Sequence, residues 1–278
     1  MQYQRLRPAP GLRDIVESIW VQHQDKPPEH RTVSWVVPTG TVEILFQYGD
    51  PVAHLESQGL KTMPRSYVTG QRISPVQVIG TGTTAIILVS LYPWGLSTLF
   101  PGGVEATDGY VDLNLLDHTG SVSRLEEQLD LAKSCIQRVR LVESFLLKCR
   151  RPRIDRRMAS ASEILARGNL QNPLRHATRT LGISDRHFLR MFKSTIGLRP
   201  SVFVRIMRFQ KVMRMHRQSG LSWVDIAAEC GFSDQSHLIH EIQCFTGRSP
   251  GQISLGSHAG DATFNGEGAS EFFDTVYM

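Results

Sequence analysis

The sequence predicts an α+β protein by domain: a β-rich N-terminal domain and an all-helical C-terminal domain with two helix-turn-helix motifs. Three observations lead there. Short β-branched and aromatic runs broken by Gly and Pro fill residues 1–117, whereas apolar residues recur at helical spacing after position 120. Charge divides along the chain, with 17 Lys and Arg against 7 Asp and Glu in residues 151–252 and 14 against 19 elsewhere. Two segments about 50 residues apart repeat one another.

In the first 117 residues the strand signals are Thr32–Pro51, Tyr67–Gly70, Val76–Gly80 and Thr83–Pro93, and short strands with frequent turns suggest a barrel or sandwich. Residues 118–150 are expected to form an amphipathic linker or dimerisation helix. Leu125, Leu129, Ala132, Ile136, Val139 and Leu146 recur there at helical spacing, with Ser121 or Ser123 as its cap. The run Arg150–Arg157 then marks the hinge into a basic domain over 151–255. From 256 to 278 Gly, Ser, Asn and Ala dominate, which predicts a flexible tail with an aromatic end at Glu271–Tyr277.

The bulk numbers exclude several classes. The 278 residues suffice for two cores, and 41% hydrophobic with 21% charged residues is a globular balance. No apolar run approaches the roughly 18 residues of a membrane span, and the first residues lack the apolar core of a signal peptide. A cytoplasmic protein with no membrane partner is therefore expected. Cys135, Cys149, Cys230 and Cys244 are far apart with no Cys-x-x-Cys, so free thiols are expected. A basic third on an acidic remainder points to a polyanion-binding module, nucleic acid first.

The repeat carries the functional reading. Leu181–Pro200 and Cys230–Pro250 align Gly182 with Gly231, Gly197 with Gly247 and Pro200 with Pro250. Each copy reads as helix, tight turn, helix: Gly231 for the positive φ of the turn, then Ser184 or Ser233 as N-cap of the second helix. Phe188 and Phe192, like Leu238 and Ile242, fall at i, i+4 and should face the core, while Arg186, Arg190 and Lys193 take the opposite side. Thr178 holds the position of Ala227. Between the copies about 18 helical residues, 201–218, span roughly 27 Å, close to the roughly 34 Å between successive major-groove faces of B-DNA. Along them Arg205, Arg208, Lys211, Arg214 and Arg217 recur every third residue, so some should face phosphates.

The pattern Ala227-x-x-x-Gly231-Phe-Ser-Asp-Gln-Ser-His237, followed by Phe245-Thr-Gly-Arg-Ser-Pro250, resembles the signature of the AraC/XylS family of transcription regulators. The linker with Arg205-Ile-Met-Arg-Phe-Gln-Lys211 is similar too, and the likeness covers roughly residues 155–253. It implies a seven-helix DNA-binding domain with one recognition helix from each motif in adjacent major grooves. The N-terminal part is similar to the cupin-like half-barrel sensor domains of such regulators, through Val37-Pro-Thr-Gly, Glu43-Ile-Leu and Leu91-Tyr-Pro-Trp-Gly95. The partners implied are double-stranded DNA and, in an activator's role, RNA polymerase, with a homodimer as a further candidate; the N-terminal domain is expected to set activity through a small-molecule effector or, alternatively, through a protein partner or dimerisation with no small molecule.

The expected DNA-contacting residues are Ser184, Asp185, Arg186, Arg190, Lys193 and Arg199 around the first motif and Arg205 and Arg208 on the linker. Around the second they are Asp234, Gln235, Ser236, His237, His240 and Ser249. Arginine suits guanine edges and lysine suits phosphate. At the position of Arg190 the second motif has His240, and Gln243 and Cys244 replace residues that are commonly basic. The i, i+3 pair His237/His240 has no third ligand at a useful spacing, so one partly buried and one DNA-facing histidine is expected rather than a metal site. Trp20, Trp35, Phe46, Tyr67, Tyr92 and Trp94 could line an apolar ligand pocket, although aromatics in a small barrel are more often core. His23, His30, His54 and His118 are scattered, with no His-x-His, and neither Gly-x-Ser-x-Gly nor a phosphate-cradling glycine loop occurs. No catalytic residue, cofactor or metal is therefore expected.

Overall fold

The computed structural model describes residues 2–24, 33–100, 108–151, 156–167 and 172–254; the expected tail, 256–278, lies outside them. Two compact units emerge, one of residues 1–34, 41–71 and 76–154, the other of 35–40, 72–75 and 155–278. They are called here the sheet unit and the helical unit.

Among the described residues ten strands give two open sheets. β1 (Gln2–Leu6), β2 (Val16–Gln24), β4 (Val42–Gln47), β7 (Ser66–Thr69), β9 (Thr84–Leu91) and β10 (Tyr110–Asp112) form one in the order β1-β2-β9-β4-β7-β10. The other, β3 (Val33–Val36), β5 (Val52–Glu56), β6 (Gly59–Thr62) and β8 (Val76–Gly80), runs β3-β8-β5-β6. This is the β-rich, half-barrel-like domain expected, without barrel closure.

Period-two alternation sorts the larger sheet into faces. Ile19, Val89, Ile44 and Val68 align across four strands and join a core with the short helices α1 (Gly95–Leu99) and α2 (Leu113–Leu116), through Leu96 and Leu113, and with α3 (Ser121–Leu131) and α4 (Cys135–Cys149), through Val122, Leu125, Val142 and Leu146. Trp20, Leu88, Leu45 and Tyr67 align on the opposite face, where Leu45, Ile86 and Tyr67 pack with Val52 and Met63. Aliphatic and aromatic burial on both faces is the main stabilising contribution; truncating fully buried Phe46 should cost about 3–5 kcal/mol.

Two expectations are corrected here. The segment 118–150 is two helices, α3 and α4, separated at Ala132–Ser134, where Ala132 is extended and Ser134 caps α4 by accepting from the amide of Gln137. Neither Ser121 nor Ser123 caps α3: its N-cap is Gly120, and the carboxylate of Asp117 accepts from Val122 N at 2.7 Å instead. Serine periodicity could not reveal a cap supplied from four residues upstream of the helix.

A bulge interrupts the pairing of β2 with β9, since Val16 opposes Leu91 and Ser18 opposes Ser90, leaving Glu17 as the extra residue. Both carboxylate oxygens of Glu17 are buried with no hydrogen-bond partner among the described residues. Burial pushes this carboxyl up to about 8, with Glu43 adding to the rise and Arg5 opposing it.

The helical unit contains α5 (Arg156–Ala166), α6 (Pro173–Leu181), α7 (Asp185–Ile196), α8 (Pro200–Ser219), α9 (Trp223–Glu229), α10 (Gln235–Thr246) and α11 (Pro250–Ser254). Seven helices among the described residues is the number the family resemblance implies. α6 and α7 form the first helix-turn-helix, α9 and α10 the second, and α8 joins them. Phe203 of α8 meets Phe192 of α7 edge-on at 5.6 Å, and Phe209 of α8 meets Phe245 of α10 at 5.1 Å. Val212 closes the second core with Ile226, Ala227, Leu238 and Ile242. Arg205 of α8 grips Glu241 of α10 through both Nε and Nη2, the shortest contact being 2.7 Å.

Two outcomes are expected from these observations. Glu17 retains a proton in the folded chain that it loses on unfolding, so stability should fall as pH rises from 4.5 to about 8 and then level off. The slope should approach about 1.4 kcal/mol per pH unit, and Glu17→Gln should remove it in urea unfolding series run across that range. Arg205→Ala leaves the nearly buried Glu241 carboxylate, whose side chain is 10% exposed, without its cation. The half-exposed Arg205 is partly screened by water, so a loss of about 1–3 kcal/mol is expected; Glu241→Gln made in the same background should recover most of it, as a double-mutant cycle would show.

Candidate nucleic-acid interface

Both second helices of the repeat are held at their ends by the chemistry of the turn. Gly182 and Gly231 adopt φ of 63° and 71°, a left-handed conformation open to glycine without strain. Ser184 caps α7, its hydroxyl accepting from His187 N at 3.3 Å. In the second copy the cap is Asp234 rather than the expected Ser233, with its carboxylate accepting from His237 N at 2.8 Å. Ser233 instead donates to Asp234 at 3.1 Å, and these bonds hold the Asp234 carboxyl below the usual carboxylate range. Thr178 occupies the place of Ala227 by donating its buried hydroxyl to the carbonyl of Arg175 at 3.3 Å.

On α7, Phe188, Phe192 and Ile196 are buried while Arg186, Arg190 and Lys193 are exposed on the other side, as the spacing predicts. Arg190 is steadied by a 3.1 Å contact between its Nη2 and Nδ1 of His187. On α10, Leu238 and Ile242 are buried and Gln235, Ser236, His237, His240 and Gln243 are exposed. His237 Nδ1 lies 3.2 Å from Ser233 Oγ, and His240 Nε2 lies 3.6 Å from Cys244 Sγ. Asp185 and Arg199 are exposed at the starts of α7 and α8.

The linker is 20 residues, slightly longer than expected, or about 30 Å at 1.5 Å per residue. Its basic residues are more committed than their spacing suggests. Arg205 pairs with Glu241, Arg208 lies over the ring of Phe232 at 5.1 Å, and Lys211 donates to the carbonyl of Glu229 at 2.9 Å. Ser249, also expected at DNA, hydrogen-bonds Gln252 at the start of α11. A threefold spacing does not register on a helix that packs against a motif at each end, so it could not separate phosphate contacts from internal ones. Conversely, Arg175 and Arg179 are exposed at i, i+4 on α6, a signal in the sequence that the reading of α7 passed over.

The six aromatics expected at a pocket do not share one face or one unit. Phe46 faces the α3–α4 core, edge-on to Phe145, because its strand position has the opposite parity from Leu45. Trp20 and Tyr67 lie on the other face, while Tyr92 and Trp94 stack on each other at 4.9 Å, with Trp94 Nε1 donating to the carbonyl of Asp14. Trp35 belongs to the helical unit, where the guanidinium of Arg248 lies over its ring at 4.8 Å.

Residues 177–254 match the family model of a helix-turn-helix domain, and residues 4–112 match that of a domain of unknown function (DUF6597). Among solved structures the chain is similar to ToxT from Vibrio cholerae at 9% identity and TM-score 0.44, over 92% of this chain and 98% of that one. It is also similar to unsaturated-fatty-acid-bound ToxT from Vibrio cholerae strain SCE256 at 9% identity and TM-score 0.44, over 84% and 96%. A further likeness is to the AraC-like transcriptional activator CuxR at 14% identity and TM-score 0.25, over 78% and 87%. Comparison with curated proteins finds no match. The family match reaches from α6 to α11, over the duplicated motif and the helix that joins its copies, so the C-terminal part of the chain is a helix-turn-helix domain.

Proposed function

We propose that α7 and α10 read successive major grooves of one duplex, with α7 supplying most of the affinity, and that the sheet unit sets this activity in response to a small ligand. The observation that carries the DNA reading is the exposed side of α7, where Arg186, Arg190 and Lys193 stand in line with no acid among them. Phosphate neutralisation by such a face releases counterions, and arginine can also pair with a guanine edge. The second motif is poorer in charge: residues 221–252 contain Arg248 against Asp225, Glu229, Asp234 and Glu241. Gln235 and His240 can still select bases by hydrogen bonding. Arg175 and Arg179 add phosphate contacts from α6, the helix that crosses the backbone in such motifs. RNA polymerase is the partner expected on the same promoter, and the site of action is the cytoplasm.

Affinity of the full chain for a duplex selected from a random pool should fall steeply with salt. Arg186→Ala or Arg190→Ala should weaken binding at least about tenfold, whereas Gln235→Ala or His240→Ala should cost less and chiefly relax preference in the second half-site. Anisotropy titrations of the four variants on one site check this, and equal or larger losses at α10 would overturn the asymmetry.

A second reading, control by dimerisation without a small ligand, is favoured by Leu131 and Ile136, which are 80% and 60% exposed on either side of the α3–α4 break. Under that reading sedimentation should show a dimer that Leu131→Glu dissociates. Under the ligand reading that substitution leaves both mass and DNA affinity unchanged.

A further inference from the structure

Within the sheet unit one row of side chains is polar where the neighbouring rows are apolar. Ser18 opposes Ser90 across β2 and β9, and Ser90 opposes Glu43 across β9 and β4. Glu17 enters the same neighbourhood through the bulge, because Arg5 and Glu43 are the charged groups that act on it. The adjoining row on that face is Trp20, Leu88, Leu45 and Tyr67. Three acceptor atoms in this patch, both carboxylate oxygens of Glu17 and Oγ of Ser90, are buried and have no hydrogen-bond partner among the described residues. Unsatisfied buried acceptors are costly, and so many in one patch mark a place built to receive donors.

We propose that the β2 bulge and the facing positions of β9 and β4 bind a small organic amine, with Glu17 as the partner of its ammonium group, Ser90 Oγ as a further acceptor and Trp20 as an aromatic wall. The chemistry selects that class. An anion is disfavoured by the neighbouring Glu43, whose charge already adds to the rise of the Glu17 carboxyl. A metal ion fits less well, since no group of three or more His, Cys, Asp and Glu side chains gathers among the described residues. An ammonium offers three donors on one atom, and its alkyl or aryl body suits the apolar row beside it. The ring of Trp20, buried and already approached by the Arg5 guanidinium at 5.7 Å, is a surface that favours cations.

Binding has a proton signature. The groups facing Glu17 are Arg5 from β1 and Glu43 from β4, and burial outweighs them, so the free carboxyl is largely protonated at neutral pH. An arriving ammonium favours the carboxylate, and the carboxyl proton leaves to solvent as the complex forms. Affinity should therefore rise with pH until Glu17 is already ionised in the free chain.

This site deepens the ligand reading of the sheet unit and rests on it only for its effect on DNA. The test uses the full chain with n-butylamine and phenethylamine, each beside its corresponding alcohol, followed by thermal shift and calorimetry. At least one amine should raise the melting temperature by several degrees at millimolar concentration, release protons on binding, and bind about tenfold or more tightly near pH 8 than near pH 6; the alcohols should do none of this. Glu17→Gln should abolish the shift, and Ser90→Ala should weaken it several-fold while keeping the pH dependence. No shift with either amine, or an undiminished one in Glu17→Gln, overturns the site. Anisotropy on the selected duplex separates the two readings: amine binding that leaves DNA affinity unchanged keeps the site and removes its regulatory role.

Discussion

Two helix-turn-helix motifs can act on one duplex only if their separation is fixed, and here a single helix must fix it while packing against both. α8 therefore has no simple wet side over its length. Phe203, Ile206, Met207, Phe209 and Val212 are all buried, and Phe203 serves α7 whereas Phe209 and Val212 serve the second motif. An ordinary surface helix shows one apolar stripe, but a helix clamped by different neighbours along its length must turn its apolar side as it goes. Rigidity follows from that packing, since tilting α8 against either motif would open a core of aromatic side chains. The spacing of the two motifs is thus a packing property before it is a DNA-binding one.

The same clamp explains how charge is distributed. Glu241 sits on the inner side of α10 and Arg205 on the side of α8 that meets it, so this pair ties linker to motif. Its geometry is bidentate and partly sheltered, which gives it directional value beyond that of a surface ion pair. The consequence is that α8, read as a row of basic residues, presents fewer free cations than its composition implies, while α7 keeps its arginines for solvent.

Backbone chemistry was the most legible part of the sequence. The glycines of both turns, the cap at Ser184 and the buried i, i+4 pairs all follow from local rules, because each depends on residues within one turn of helix. Misreadings arose where the deciding partner was distant or where two neighbours competed. Ser233 and Asp234 are adjacent candidates for one cap, and the carboxylate, a stronger acceptor than a hydroxyl, takes the amide. The break at Ala132–Ser134 has no Gly or Pro to announce it, so the apolar period ran through it unmarked. Glu17 was invisible in the sequence because a bulge shifts strand parity without any change in composition, and parity also decided that Phe46 faces away from Tyr67. The basic residues of α8 needed knowledge of both motifs at once.

At Gly182 and Gly231 nothing stands within 4 Å of where a Cβ would be, so the only demand on the residue is its backbone torsion. Such a turn needs no support from neighbouring elements. Asparagine, the other residue that tolerates this conformation, should substitute there at modest cost, whereas a β-branched residue should not. The elbow is therefore portable: a motif whose bend is specified entirely by its own backbone keeps its shape when copied to the far end of a helix and surrounded by different side chains. That self-sufficiency lets the two copies diverge as widely as Arg190 and His240 while both keep a left-handed glycine at the bend.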